Sequence, residues 1–292
     1  MPDRYARLRL IRQLDPEKDC EEIFRQVTDY EFPWDYWQSA SLAFFRTFGV
    51  PSIAELLHRT GEFSNRTQKR ADDTLLILYE ITHHGLEDER GRAFLRRMNR
   101  MHRHYNISND DHRYIIALYI VVPVRWIGRY GWRQLTDHEK RAMTAVGRRL
   151  GELMGIKDLP RTFDEFARLA DEYEAMNFAY TKAGKRLSSA AMDIAADVLP
   201  PRMRPLMKAP MQRFSRALLD EDLLRTVGLP LPSRWERKTA EAVLKFRAFV
   251  LRGFPPRPDD RPYRPALVTY PSGYQLQDLG PEWLNSRDQT LR

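Results

Sequence analysis

The stretch Arg96-Arg97-Met98-Asn99-Arg100-Met101-His102-Arg103-His104-Tyr105-Asn106-Ile107-Ser108-Asn109-Asp110-Asp111 gathers four arginines, two histidines and two adjacent carboxylates around an apolar helical stripe. Surfaces seldom need Met-x-x-Met-His, and cores seldom tolerate so many charges. A segment with both properties is a candidate buried polar site. On a helix through Glu89 to Tyr105, the inward stripe is Phe94/Leu95, Met98, Met101 and Tyr105, and His102 lies on it beside Met98. Arg92, Arg96, Arg100 and Arg103 form a second stripe that faces partly outward, while His104 shares the face of Arg97. An inward imidazole is a satisfied core histidine, a metal ligand or a proton relay.

The next helix starts at Ser108-Asn109-Asp110-Asp111, where Ser108 or Asn109 caps and the aspartates suit the positive end. Tyr114 to Val124 is apolar on all sides, which predicts a helix buried all round and kinked at Pro123. A buried helix beside a His/Arg helix can wall a cofactor or apolar-substrate pocket. Glu80-Ile81-Thr82-His83 is a Glu-x-x-His, half of what a carboxylate-bridged di-iron centre requires, and no second copy occurs. His83-His84 before Gly85 also suits a helix C-terminus without any metal.

Helix signals extend along nearly the whole chain. Asp15-Pro16 opens a first helix carrying Ile23, Phe24 and Val27; Pro33 and Pro51 open two more; Thr74 to Ile81 is apolar and closes at Gly85. Thr136-x-x-Glu139 and Thr162-x-x-Glu165 fit the capping box. Further helices are expected at about 187–199, 202–219 and 232–252, with a short one in 220–228. No hairpin signal or strand alternation is evident. The expected fold is all-α: one compact multi-helix domain over 1–253 with a buried central helix, followed by an extended Pro-rich tail over 254–292. Tyr263, Leu267, Tyr270, Tyr274 and Trp283 would anchor that tail on the body.

Composition narrows the function classes. The net charge of +8 comes from arginines spread along the chain, a general basic surface that permits peripheral contact with an acidic membrane. No DNA-binding motif accompanies it, so no nucleic-acid partner is expected. Cys20 is the lone cysteine, which excludes an intramolecular disulfide and a cysteine-ligated cluster within one chain. With no signal core near the N-terminus and no long apolar run, a cytoplasmic protein is expected. Phosphate-binding glycine loops and the esterase elbow are missing.

The run from Arg96 through His102 and Asn106-Ile107-Ser108-Asn109-Asp110-Asp111 to Tyr114 carries a resemblance. So do Pro123-x-Arg125-Trp126, Gly131-Trp132-Arg133, Thr136-x-x-Glu139, Leu153-Met154-Gly155-Ile156 and Leu159-Pro160. Together they resemble the MpaB-type oxygenases, which share a catalytic domain with rubber oxygenase, over roughly residues 34–250. The resemblance implies an all-α oxidoreductase that uses dioxygen on a small apolar, isoprenoid- or lipid-like substrate. It also implies haem b, which supports cleavage of isoprenoid double bonds in rubber oxygenase. In that branch a histidine in the helix after the Asp motif binds the iron; here the position falls near Leu118 or Tyr119, and no histidine occurs between His112 and His138. His102 is therefore nominated as iron ligand or distal polar group, Arg97 and Arg100 as partners of haem propionates, and Glu80 as a base. Arg97 and Asp110 complete the candidate catalytic set. Two alternatives stand beside it: a non-haem iron oxygenase using Glu80, His83 and His102, and a non-catalytic helical binding or scaffold protein of the same fold.

Overall fold

The computed structural model describes residues 3–197, 199–265 and 268–284, so Leu267 lies outside the described residues. Helices are the only regular elements among the described residues. In chain order they are α1 (Ala6–Ile11), α2 (Cys20–Arg25), α3 (Pro33–Thr47), α4 (Pro51–Arg59), α5 (Glu62–Asn65), α6 (Thr67–His84) and α7 (Glu89–His102). There follow α8 (Asn109–Tyr130), α9 (Asp137–Leu153), α10 (Phe163–Asn177), α11 (Lys182–Asp193), α12 (Arg204–Leu218), α13 (Glu221–Thr226) and α14 (Arg234–Arg252).

Local chemistry sets most boundaries. Proline occupies the first turn of α3 and of α4, where its missing N–H leaves no helical bond unmade. Ser108, not Asn109, caps α8 by accepting from the Asp111 N–H, and both expected capping boxes form at Thr136 and Thr162. Two expectations shift. Asp15 does not open a helix: its carboxylate accepts from the N–H groups of Glu17 and Lys18, a local turn that delays the helix to Cys20. The helix expected from about residue 187 begins at Lys182, because the Thr181 hydroxyl accepts from the Gly184 N–H.

The central helix is α8, which packs against α3, α9 and α10. Eleven of its residues from Tyr114 to Tyr130 are buried, as its all-round apolarity predicts. Pro123 sits inside it and removes the N–H that would bond the Tyr119 carbonyl. One apolar cluster gathers around α2, α3 and α9; a second fills the space between α6, α7, α8 and α10. Between α2 and α3 the chain makes a π-helical turn, Gln26–Glu31, that buries Thr28, Asp29 and Glu31. Such turns often mark functional positions.

Beyond α14 the described part of the tail has little regular structure: residues 257–263 bond Arg7 of α1 and the Asp29–Tyr30 turn, and residues 269–280 lie along α6 and α7. Asp72 accepts from the Thr269 N–H, and Asp73 accepts from the Gly280 N–H and the Tyr270 hydroxyl. Leu279 is fully buried in the second cluster, a contribution of about 1.5–3 kcal/mol.

Candidate functional site

The nominated residues do not converge on one place. His102 ends α7 and faces the first turn of α6, where Arg70 lies close enough to act on it electrostatically. Glu80 is ten residues further along α6, about 15 Å at the helical rise. Glu80 is bound by Arg90, twelve residues before His102 on α7, which gives a similar separation of about 18 Å. A single iron centre built from Glu80, His83 and His102 is therefore not formed. No group of three or more potential ligands among His, Cys, Asp and Glu gathers among the described residues.

Glu80 is buried and its carboxylate is fully engaged. It accepts from the Arg90 Nε and, at 3.0 Å, from Arg90 Nη2; the Tyr274 hydroxyl donates to it, and His84 Nε2 lies 3.5 Å away. Burial alone would raise its pKa, but the bonds from Arg90 and Tyr274 outweigh this and hold it below the usual carboxylate range. A base needs a free lone pair and an affinity for protons, and this environment supplies neither. The arrangement instead ties α6, the first turn of α7 and the tail together. His83, one turn on, bonds Asp29 of the π-helical turn at 2.6 Å and stacks on Tyr79.

Arg97 is buried, but not towards α8. Its Nε donates to the Leu279 carbonyl at 2.7 Å and its Nη2 to the Gln277 carbonyl at 3.0 Å, so its guanidinium holds the tail. Five residues separate it from His102, about 140° around the helix, which sends the two side chains to different neighbours. Arg100 lies on the exposed side with Arg92, Arg96 and Arg103. The space between α7 and α8, expected as a pocket, is occupied by Met98, Ile116, Ala117, Ile120 and Val121. Asp110 points to water and pairs with Arg113 at 3.2 Å; the buried carboxylate of the motif is Asp111. Asp111 accepts from the Ser52 hydroxyl at 2.9 Å and from the Tyr173 hydroxyl. Periodicity carried that signal, since Asp111 shares a face with Tyr114 and Leu118 at i+3 and i+7.

What the structure does assemble is a small cluster of Arg70, His102 and His112. The two imidazoles meet edge to face, 5.5 Å between centroids. His102 Nδ1 is shielded from solvent and has no hydrogen-bond partner among the described residues. Burial, then His112 and Arg70, push the His102 pKa down to about 4, so the ring is a neutral imidazole at physiological pH. Burial lowers His112 too, against the opposing influence of Asp111. Arg70 donates to the Thr74 hydroxyl, forms no ion pair among the described residues, and lies 6.0 Å from the Phe44 ring. Phe44, Phe48 and Phe63 continue that apolar wall. Sequence reasoning singled out His102 but missed Arg70, which is distant in sequence and becomes a neighbour only through the antiparallel pairing of α6 with α7.

A second set of shielded polar atoms lies at the centre of the bundle. The hydroxyls of Tyr36 and Tyr119 and the Trp37 indole N–H are shielded from solvent and make no well-aligned hydrogen bond among the described residues. Tyr119 stacks on Phe24 and meets Tyr36 edge to face. Desolvation raises both tyrosine pKa values, so both remain neutral.

Residues 34–252 match the family described as ER-bound oxygenase mpaB/B'/Rubber oxygenase, catalytic domain. The chain belongs to this oxygenase family. It is similar to the ER-bound oxygenase mpaB' of Penicillium brevicompactum, 26% identical over 347 aligned positions, which cover 94% of this chain and 81% of that protein. It is also similar to the ER-bound oxygenase mpaB of Penicillium roqueforti (strain FM164), 31% identical over 48% of this chain and 49% of the relative. The mpaB of Penicillium brevicompactum is 33% identical over 50% of this chain and 39% of its own length. The family makes the chain an oxidoreductase of the oxygenase class, and the all-α architecture agrees with the sequence expectation.

The donor chemistry at His102 suits haem in two respects. A neutral imidazole with an unsatisfied nitrogen is the form that ligates iron, and a guanidinium that forms no ion pair among the described residues suits a propionate. Arg97 does not suit the propionate role, because its guanidinium is committed to the tail carbonyls.

Proposed function

We propose that this chain is a haem-dependent oxygenase that acts with dioxygen on a small apolar substrate of isoprenoid or lipid character. The supporting observation is the partly buried, neutral His102, whose shielded Nδ1 has no hydrogen-bond partner among the described residues, beside Arg70 in a chain of the oxygenase family. Haem b, when bound, supplies the electron transfer to dioxygen that side chains alone do not. His102 would hold its iron or present a polar group to the open side. Arg70, partly buried beside Phe44, would hold a propionate with charge-assisted bonds. Phe44, Phe48 and Phe63 would exclude water and accept an apolar molecule. We place the protein in the cytosol, consistent with a single buried cysteine and no disulfide.

The test is an absorption spectrum and iron analysis of the purified protein. A Soret band that is lost in His102→Ala, with unchanged far-ultraviolet circular dichroism, is the expected result. A colourless, iron-free protein that gains no Soret band with added haem overturns the reading.

A further inference from the structure

Helix α14 has two apolar faces, and among the described residues only one of them is covered. Ala240, Leu244 and Ala248 are buried against the body, chiefly against α12. Rotated by half a turn, Trp235, Ala242, Phe246 and Phe249 fall on one line at spacings of seven, four and three residues. Trp235 is 80% exposed, Phe246 67% and Phe249 69%; Phe254, just past the helix, is 59% exposed. Four aromatic side chains this open make a patch of several hundred Å², about the upper limit found on a soluble monomer, where such patches are usually functional.

The charges beside the stripe indicate what covers it. Lys238, Lys245 and Arg252 repeat at seven-residue intervals and so form a cationic row along one flank. Glu241 lies on the same side, but Lys245 at 2.9 Å and Arg129 at 3.7 Å already neutralise it. A second copy of the chain would bring a like-charged row, and a +8 body, against this one. An anionic lipid surface answers both features: acyl chains and the headgroup boundary take Trp and Phe, and the headgroups take Lys and Arg. Among the described residues no single helix is long and apolar enough to cross a bilayer. We propose that the outer face of α14 is a peripheral docking surface for anionic membranes, with Trp235, Phe246, Phe249 and Phe254 inserted and Lys238, Lys245 and Arg252 on the headgroups. A helix lying in the interface would bring the protein to the phase in which an apolar substrate dissolves, whichever cofactor the protein uses.

The experiment is vesicle co-sedimentation of the full chain on phosphatidylcholine with and without phosphatidylserine. Binding should require phosphatidylserine, weaken with salt, and shift Trp235 emission to the blue, a change missing in Trp235→Phe. Phe246→Glu/Phe249→Glu should lose binding by at least about tenfold with unchanged circular dichroism, since both side chains already face water. Lys238→Glu/Lys245→Glu should lose it on phosphatidylserine. Failure of the wild type to bind overturns the proposal, as does equal binding by Phe246→Glu/Phe249→Glu. So does a sedimentation-velocity dimer that this same variant dissociates, which would assign the face to a second copy.

Discussion

Replacing Glu80 by Gln separates a proton acceptor from a structural tie. The carboxylate is almost fully buried and takes both Arg90 and the Tyr274 hydroxyl. Gln keeps the shape and one acceptor oxygen but turns two hydrogens towards Arg90. Arg90 is half-exposed, so its charge rehydrates and the loss is that of the bonds rather than of a stranded cation. Hydrogen bonds to a charged group are worth about 1.5–3 kcal/mol each, and with one partly retained the expected cost is about 2–3 kcal/mol. Urea unfolding followed by circular dichroism measures it, and Tyr274→Phe completes a double-mutant cycle that should show coupling. The pH dependence has a defined sign. The folded carboxyl is held below its unfolded value, so its contribution is complete above the unfolded pKa of about 4.3 and fades as pH falls through the folded value. Glu80→Gln should flatten that limb. If stability stays within about 0.5 kcal/mol while oxygen uptake with an apolar substrate collapses, Glu80 is a base and not a structural tie.

His102 gives an acid limb at higher pH: its folded pKa of about 4 lies below the ordinary value, so unfolding takes up a proton and stability declines as pH falls from about 6.5 towards 4. His102→Gln should remove that slope from pH-dependent thermal melts, and an unchanged slope would count against a neutral ring at this position. Arg133 is held between Glu31 and Glu139, both fully buried, with bonds of 2.7 Å to each; Arg133→Ala should destabilise by about 3–5 kcal/mol in urea titrations. Gly91→Ala would drive a methyl into the Gly85 carbonyl oxygen where α6 and α7 approach, and a loss of at least about 2 kcal/mol is expected in thermal unfolding.

Periodicity and end signals carried far through this chain. They are local, and the fold obeys them locally: the capping threonines, the prolines opening α3 and α4, and the buried run of α8 all stand where residue type demanded. The site was legible only in part, because it depends on which helix lies opposite. The inward direction of His102 follows from its own helix, whereas Arg70 joins it only through tertiary pairing. Arg97 illustrates the same limit. Its helix placed it away from the solvated stripe, but the backbone carbonyls it serves lie about 180 residues away in a tail without periodicity. Asp110 and Asp111 differ by one position and 100° of rotation, enough to put one in water and the other in the core.

The tail contacts also bear on the order in which the molecule can be completed. Asp72, Asp73, Glu80 and Arg97 reside in helices made early in synthesis, yet some of their partners lie at residues 269–280. At about 5–20 residues per second, the gap of roughly 180 residues leaves these groups solvated or non-natively paired for tens of seconds at the slower rate. The α6–α7 pair therefore cannot reach its final hydration before residues 269–280 emerge from the ribosome. Its dry, native form is a late event of synthesis.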